Sequence, residues 1–193
     1  MEISVEIKQG DIFLRHTKGW SWISWAIRRV TGSFWNHVGG GVLEGEDMFV
    51  IEADPPVVKK TPLLEFINPK KYYIKIVRMR EDAFKDKAEY EKAIEHSIAF
   101  LQSKIGVRYD KRAIIWLAIA YTFLGIFKRV NPFNRRKEFF CSELECQSWH
   151  LTSSIIYHLF AGQKYPEAEC STITPCDIGK AVSVEYVAGR KEF

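Results

Sequence analysis

The sequence predicts an α+β domain. Three observations carry that expectation. Short alternating, strand-like runs fall near the start, the middle and the end of the chain. Two β-rich runs flank a polar, glycine-containing turn. A charged segment at 82–104 carries an apolar stripe at helical spacing. The 193 residues suggest a single domain over 1–193.

Each element follows in order. ISVEI at 3–7 alternates as a short strand, Gln9-Gly10-Asp11 turns the chain, and IFLRH is a second extended run. WSWISWAIRRVTG at 20–32 spaces Trp22, Ile23, Ala26, Ile27 and Val30 as a helix, which Thr31-Gly32 stops. NHVGGGVL and MFVIEA around EGED predict a hairpin, and Asp54-Pro55-Pro56 ends it because proline cannot join a central ladder. YYIKIVRM at 72–79 is another strand. Ala93, Ile94, Ile98, Leu101 and Ile105 form the stripe of the 82–104 helix, which breaks at Gly106. Residues 113–127 are almost wholly apolar. They are short for a membrane span, which needs ~20 residues, so a buried helix is expected. A lipid-facing lid or a membrane-surface helix are the alternatives. NPFNRRKE is a loop, and a helix follows over about 141–150 with room to continue through SSIIYHLFAG. TPCDI at 174–178 reads as a turn, and VSVEYV at 182–187 as the last strand.

Composition narrows the function classes. The chain is 47% hydrophobic and 14% aromatic, enough for a sizeable core. Its charge of +4 is a mild excess, compatible with an acidic partner or a lipid headgroup. No nucleic-acid-binding motif is present, so no nucleic-acid partner is expected. The mixed polar N-terminus lacks the pattern of a signal peptide, which predicts a cytoplasmic chain whose four cysteines stay reduced.

Chemistry centres on FFCSELECQSWH at 139–150. Cys141 heads the predicted helix, and Ser142 stands three residues before Glu145, a capping-box spacing. A helix N-terminus favours a thiolate, whereas an isolated cysteine is usually a small buried hydrophobe. A nucleophile also needs a base. Of the five histidines, His96 lies in the charged helix, and His150 is about two and a half turns from Cys141. His16 lies in a basic segment and His158 lies beyond the cysteine helix. His37 opens a β-rich strand before Gly39, Gly40 and Gly41, and glycine in a strand often marks close approach of a ligand or another backbone. If the hairpin turns at Glu44-Gly45 or over Glu44–Asp47, Glu52 shares a face with His37, opposite or diagonal to it. A random surface glutamate explains Glu52 equally well.

The order of these pieces resembles a known family. GDI near the start, a helix ending in VTGS, FWNHVGGGV, VIEA, a long insert with YD, FFCSEL and TPCDI together resemble the circularly permuted NlpC/P60 papain-like proteins, in particular the YiiX/YaeF-like group. The resemblance covers about residues 9–178. It implies an antiparallel sheet or small barrel packed against helices, with the histidine strand ahead of the cysteine helix. It implies Cys141 as nucleophile, His37 as general base and later acid, and Glu52 as the residue that orients His37. It also makes Asp11 and Tyr109 candidates for polar contacts with substrate. Trp35 is one of four tryptophans over 20–35 that would line an acyl-chain pocket or belong to the core.

The expected activity is that of a cysteine-dependent hydrolase or acyltransferase. It would act on an amide, ester or thioester of a small-molecule, peptide or lipid acyl substrate, with no cofactor and no metal. The alternative is a non-catalytic lipid- or fatty-acid-binding protein on the same fold. A zinc site from Cys146, His150, Cys170 and Cys176 is a further rival, though the spacing lacks a CxxC. Membrane-surface contact stays open, and sequence does not set the oligomeric state.

Overall fold

Gly10, at a φ of 83°, turns the chain into β1 (Ile12–Thr17). Ile12, Phe13 and Leu14 are all buried, so this strand is covered on both faces. It pairs antiparallel with β2 (His37–Glu44) on one side. Gly45, at a φ of 63°, occupies the first central position of the next turn, where a type II′ hairpin requires a positive φ. Glu44 therefore pairs with Asp47, and β3 (Asp47–Asp54) runs back with Gly39 opposite Glu52. This is the register expected from a four-residue turn over Glu44–Asp47. The computed structural model describes residues 6–19, 24, 28, 34–112, 115, 138–150, 170, 173–181 and 184–190, with His150 by its backbone alone.

The prolines end β3 as expected, but the chain returns at once as β4 (Val57–Pro62), which pairs Lys59 with Glu52. The sequence reading did not foresee this strand, because VVKKTP lacks a period-two apolar pattern. A short helix, α1 (Leu63–Phe66), buries Phe66. β5 (Tyr72–Met79) then flanks the other side of β1. Helix α2 (Lys87–Ser103) starts later than residue 82. Asp86 caps it by accepting from Glu89 N at 2.8 Å, and a 3-10 turn, Glu81–Ala83, precedes it. Ala93, Ile98 and Leu101 bury as predicted, while Ile105 lies beyond the helix and is exposed.

Two short strands, β6 (Arg108–Tyr109) and β7 (Glu138–Phe139), pair in parallel and lead into α3 (Cys141–His150). TPCDI is a helix rather than a turn. α4 (Pro175–Lys180) begins with a capping box in which Thr174 and Asp177 satisfy each other's backbone N–H. The last strand, β8 (Val184–Gly189), lies two residues later than predicted. The order across the sheet is β7-β6-β4-β3-β2-β1-β5-β8, so the domain is α+β with a mixed rather than wholly antiparallel sheet. The larger core joins β1, β2 and β3 to α2 and α3, while Phe13, Val50, Phe66, Ile76 and Ala188 form a smaller cluster.

The expected helix at 20–32 lies outside the described residues apart from Ser24 and Arg28, both helical. The apolar stretch at 113–127 does so apart from Ile115, which is helical and exposed. The continuation of the cysteine helix beyond 150 lies outside them, as do the loop at 131–137 and strand residues 3–5. Glu6 and Ile7, the next residues along, are not in a strand. Among the described residues, no helix is long and apolar enough to cross a membrane.

Candidate active site

Cys141 is the first residue of α3 and is 2% exposed. The strand before it is fixed by Asp110 N donating to Phe139 O at 3.0 Å, and the helix by Leu144 N donating to Phe140 O at 3.0 Å. The expected capping box does not form. Ser142 lies inside the helix and donates to Ile173 O at 2.6 Å, tying α3 to the start of α4. Glu145 turns inward and accepts from Trp149 Nε1 at 3.0 Å. The ordinary reason is that the helix begins at Cys141, so Phe140 holds the cap position and Ser142 lies two residues inside it.

The sheet assembles the partners of Cys141 by cross-strand register. Arg15 on β1 stands opposite His37 on β2, and Glu52 on β3 is diagonal to His37. His37 Nε2 and Glu52 Oε2 are 2.5 Å apart. Arg15 Nη2 lies 3.2 Å from the same oxygen, and Thr61 Oγ1 of β4 donates to Glu52 Oε1 at 2.6 Å. The Arg15 guanidinium is held between the Phe66 and Tyr72 rings at 4.5 and 4.4 Å. With Nε2 committed to Glu52, Nδ1 is the nitrogen of His37 left for its hydrogen bond with Cys141.

The electrostatics follow from this packing. For His37, burial is the largest influence and works downward, as does the Arg15 charge. The Cys141 sulfur, by charge and hydrogen bond, and the Glu52 carboxylate outweigh both and raise its pKa to about 9. For Glu52, burial works upward, but His37, Arg15 and Thr61 bring the carboxyl down to about 2. The glutamate is therefore ionised and the imidazole protonated at neutral pH.

The other predicted residues divide. Tyr109 is buried within electrostatic reach of the site. Burial first, then the negative charges of Cys141, Asp54 and Asp110, push its phenol well above the usual range. Asp11 is not brought to the site. Its carboxylate accepts from Arg78 Nε at 2.6 Å and Nη2 at 2.9 Å, and from Lys8 N, so it is a buried structural ion pair. Trp35 is fully buried in the larger core, edge-on to Phe34. His96 is exposed on α2, as expected, and His16 is stacked on Phe34. His158 lies outside the described residues.

Arg15 and Thr61 are partners of Glu52 that the sequence reading missed. The available signal was a charged residue within the apolar run IFLRH. It becomes informative only when β1 is known to pair with β2. Asn36, next to His37, was also missed. It is buried, and neither polar atom of its side chain has a hydrogen-bond partner. The glycines beside His37 serve protein packing rather than a ligand. A Cβ on Gly39 would stand 2.7 Å from Val50 Cγ1, and one on Gly40 would stand 2.5 Å from Leu101 Cδ1 and 2.9 Å from Glu145 Oε2.

Cys146 and Cys170 form a disulfide with Cα atoms 5.5 Å apart. This corrects two expectations. The four cysteines are not all reduced, since Cys141 and Cys176 alone are free, and the zinc set loses two of its thiolates. His37, Glu52 and Asp54 offer donor atoms within 4.8 Å of one another. Those carboxylates already face cations, however. Lys59 Nζ is 2.7 Å from Asp54 Oδ2 and 4.0 Å from Glu52 Oε1, and Arg15 holds Glu52 Oε2. Two carboxylates thus meet two permanent cations, and a metal ion would enter only by displacing Lys59.

No family model and no curated protein matches the chain. Among solved structures, it is similar to the crystal structure of metalloprotein yiiX from Escherichia coli O157:H7, of the group DUF1105. The TM-score is 0.62 at 18% identity, over 95% of this chain and 97% of that one. The fold is therefore YiiX-like.

Proposed function

We propose that this chain is a cysteine-dependent hydrolase or acyltransferase, with Cys141 as nucleophile, His37 as base and acid, and Glu52 as the orienting carboxylate. The observation that carries the reading is the buried His37–Glu52 hydrogen bond, with Cys141 at the head of α3 near enough to act on the His37 imidazole. The cysteine at a helix start and the histidine on an earlier strand support a permuted NlpC/P60 papain-like arrangement.

In the reaction, the Cys141 thiolate attacks the carbonyl carbon of an amide, ester or thioester. The developing oxyanion is received by the Cys141 backbone N–H, since the first N–H of a helix has no intrahelical acceptor. Tyr109, buried within electrostatic reach of Cys141, is the candidate for a polar contact with substrate. Collapse of the tetrahedral intermediate breaks the bond to the leaving group, which takes the proton from His37. The acyl group is then a thioester on Cys141. His37, now neutral, removes a proton from water or an acceptor alcohol or amine, which attacks the thioester and expels the thiolate. Glu52 stays ionised throughout and keeps Nε2 directed toward itself.

The solved neighbour is described as a metalloprotein. Here the carboxylates beside His37 are matched by Arg15 and Lys59, so the residues do not fit a resident cation, and no step is assigned to one.

The test is the rate of iodoacetamide labelling of Cys141 against pH, located by mass spectrometry, in wild type and His37→Ala. Rapid labelling near pH 6, slowed in the variant, is expected. Turnover of activated esters should fall by roughly 10²- to 10⁴-fold in the variant, the scale of a lost general base. Labelling of Cys141 no faster than a free thiol in both proteins would overturn the reading. A co-purifying lipid on an unreactive thiol would then favour a binding protein.

A further inference from the structure

Glu145 has no role in the reaction just described, yet it is 1% exposed and lies one turn after Cys141 on α3. Its Oε1 accepts from Trp149 Nε1, while Oε2 has no hydrogen-bond partner. That second oxygen is aimed at Gly40, three residues after His37 on β2, and occupies the space a side chain there would fill. The carboxyl is thus wedged between the helix that starts with the nucleophile and the strand that starts with the base.

Its surroundings offer no counter-charge among the described residues. From α2, Leu101 faces the same position at Gly40, and the Ser97 hydroxyl donates to Ser148 Oγ. Ser148 Oγ donates in turn to Glu145 O at 2.8 Å. The charged residues of α2 and its His96 face solvent. On β2 and β3, His37 is bonded to Glu52 and Glu52 is paired with Arg15, while Glu44 is paired with Lys60, Asp54 with Lys59, and Asp47 is exposed. Cys146 is in the disulfide, and Asp177 of α4 is in its capping box. A carboxylate in this setting has only the Trp149 N–H to offset its burial, whereas a neutral carboxyl fits.

We propose that Glu145 is a positioning residue: as a neutral acid it seats α3 on β2 and sets Cys141 against His37, and its ionisation loosens that seat. The inference rests on the reading of Cys141 and His37 as the reacting pair. Burial, partly offset by the Trp149 bond, raises the Glu145 carboxyl to about 7, which places the change near neutral pH.

The experiment compares wild type with Glu145→Gln, which keeps the shape and cannot ionise. Two readouts are taken from pH 4 to 8.5: the thermal unfolding midpoint, and the Cys141 labelling rate relative to a free thiol. The wild-type midpoint should fall relative to the variant as pH rises from 4.5 to about 7. Above pH 7 the wild-type labelling rate should fall relative to that of the variant by roughly tenfold or more, the scale of a misplaced reacting group. Parallel midpoints would overturn the buried ionisation. Diverging midpoints with parallel, accelerated labelling would overturn the positioning role. Failure of the catalytic reading is distinguishable, because Cys141 would then label no faster than a free thiol in either protein at any pH.

Discussion

Glu52 is the residue on which the site's charge balance turns. Its single Oε2 faces both His37 and Arg15, which oppose each other, since Arg15 lowers the histidine that Glu52 raises. Their signs give separable predictions. Glu52→Gln should bring the His37 titration, followed by NMR of its ring protons, down from about 9. Arg15→Met should move it higher still. The same shifts set the stability window. His37 is raised, so its contribution is complete below 6.5 and is lost as pH rises through about 9. Glu52 is depressed, so its contribution is present above 4.5 and is lost as pH falls through about 2. Urea unfolding of Glu145→Gln, which lacks the Glu145 slope, should therefore show a plateau between 4.5 and 6.5 from this pair. Removing Glu52 strands a buried guanidinium as well as the imidazole, a loss of roughly 3–5 kcal/mol.

At the scale of elements, the hairpin and the strand beside His37 were legible, and the strand on the hairpin's other side was not. EGED contains the glycine a two-residue turn needs, so the turn alone placed Glu52 within reach of His37. The strand after the prolines was hidden by its composition. Lys59, Lys60 and Thr61 look solvent-facing until Glu52 is seen to need Thr61 as a donor. The glycine run was visible, but its cause was not, because Gly39 and Gly41 accommodate groups of the neighbouring strands and Gly40 accommodates side chains of helices far along the chain. That cause yields a prediction. Gly40→Ala would place a methyl 2.5 Å from Leu101 Cδ1 and 2.9 Å from Glu145 Oε2. Overpacking of this kind costs roughly 1–3 kcal/mol, and here it would also lift α3 from β2. Urea denaturation should show the loss, and slower Cys141 labelling should accompany it. Unchanged stability would mean that the helix has room the packing does not suggest.

Across the whole molecule, the chain must cross its own sheet. β7 lies at one edge and β8 at the other, and α3 and α4 stand between them in sequence. Sequence periodicity is blind to such a crossing, and the cysteines that stabilise it were read as reduced because only the N-terminus spoke about redox setting. The Cys146–Cys170 bond joins the helix that Cys141 begins to Cys170, 24 residues later, ahead of α4. Ser142 fastens the same two regions through Ile173 O. A loop of this length restricts the unfolded chain enough to contribute roughly 3–4 kcal/mol in the chain-entropy view. Cys146→Ser, or a reductant strong enough to open the buried bond, should therefore lower the urea midpoint by a corresponding amount. A Cys170→Ser variant should match Cys146→Ser, since each removes the same loop closure. If both variants unfold at the wild-type midpoint, the bridge adds nothing to the crossing, and the hydrogen bond from Ser142 and the packing of Ile173 and Ile178 hold α4 under α3 by themselves.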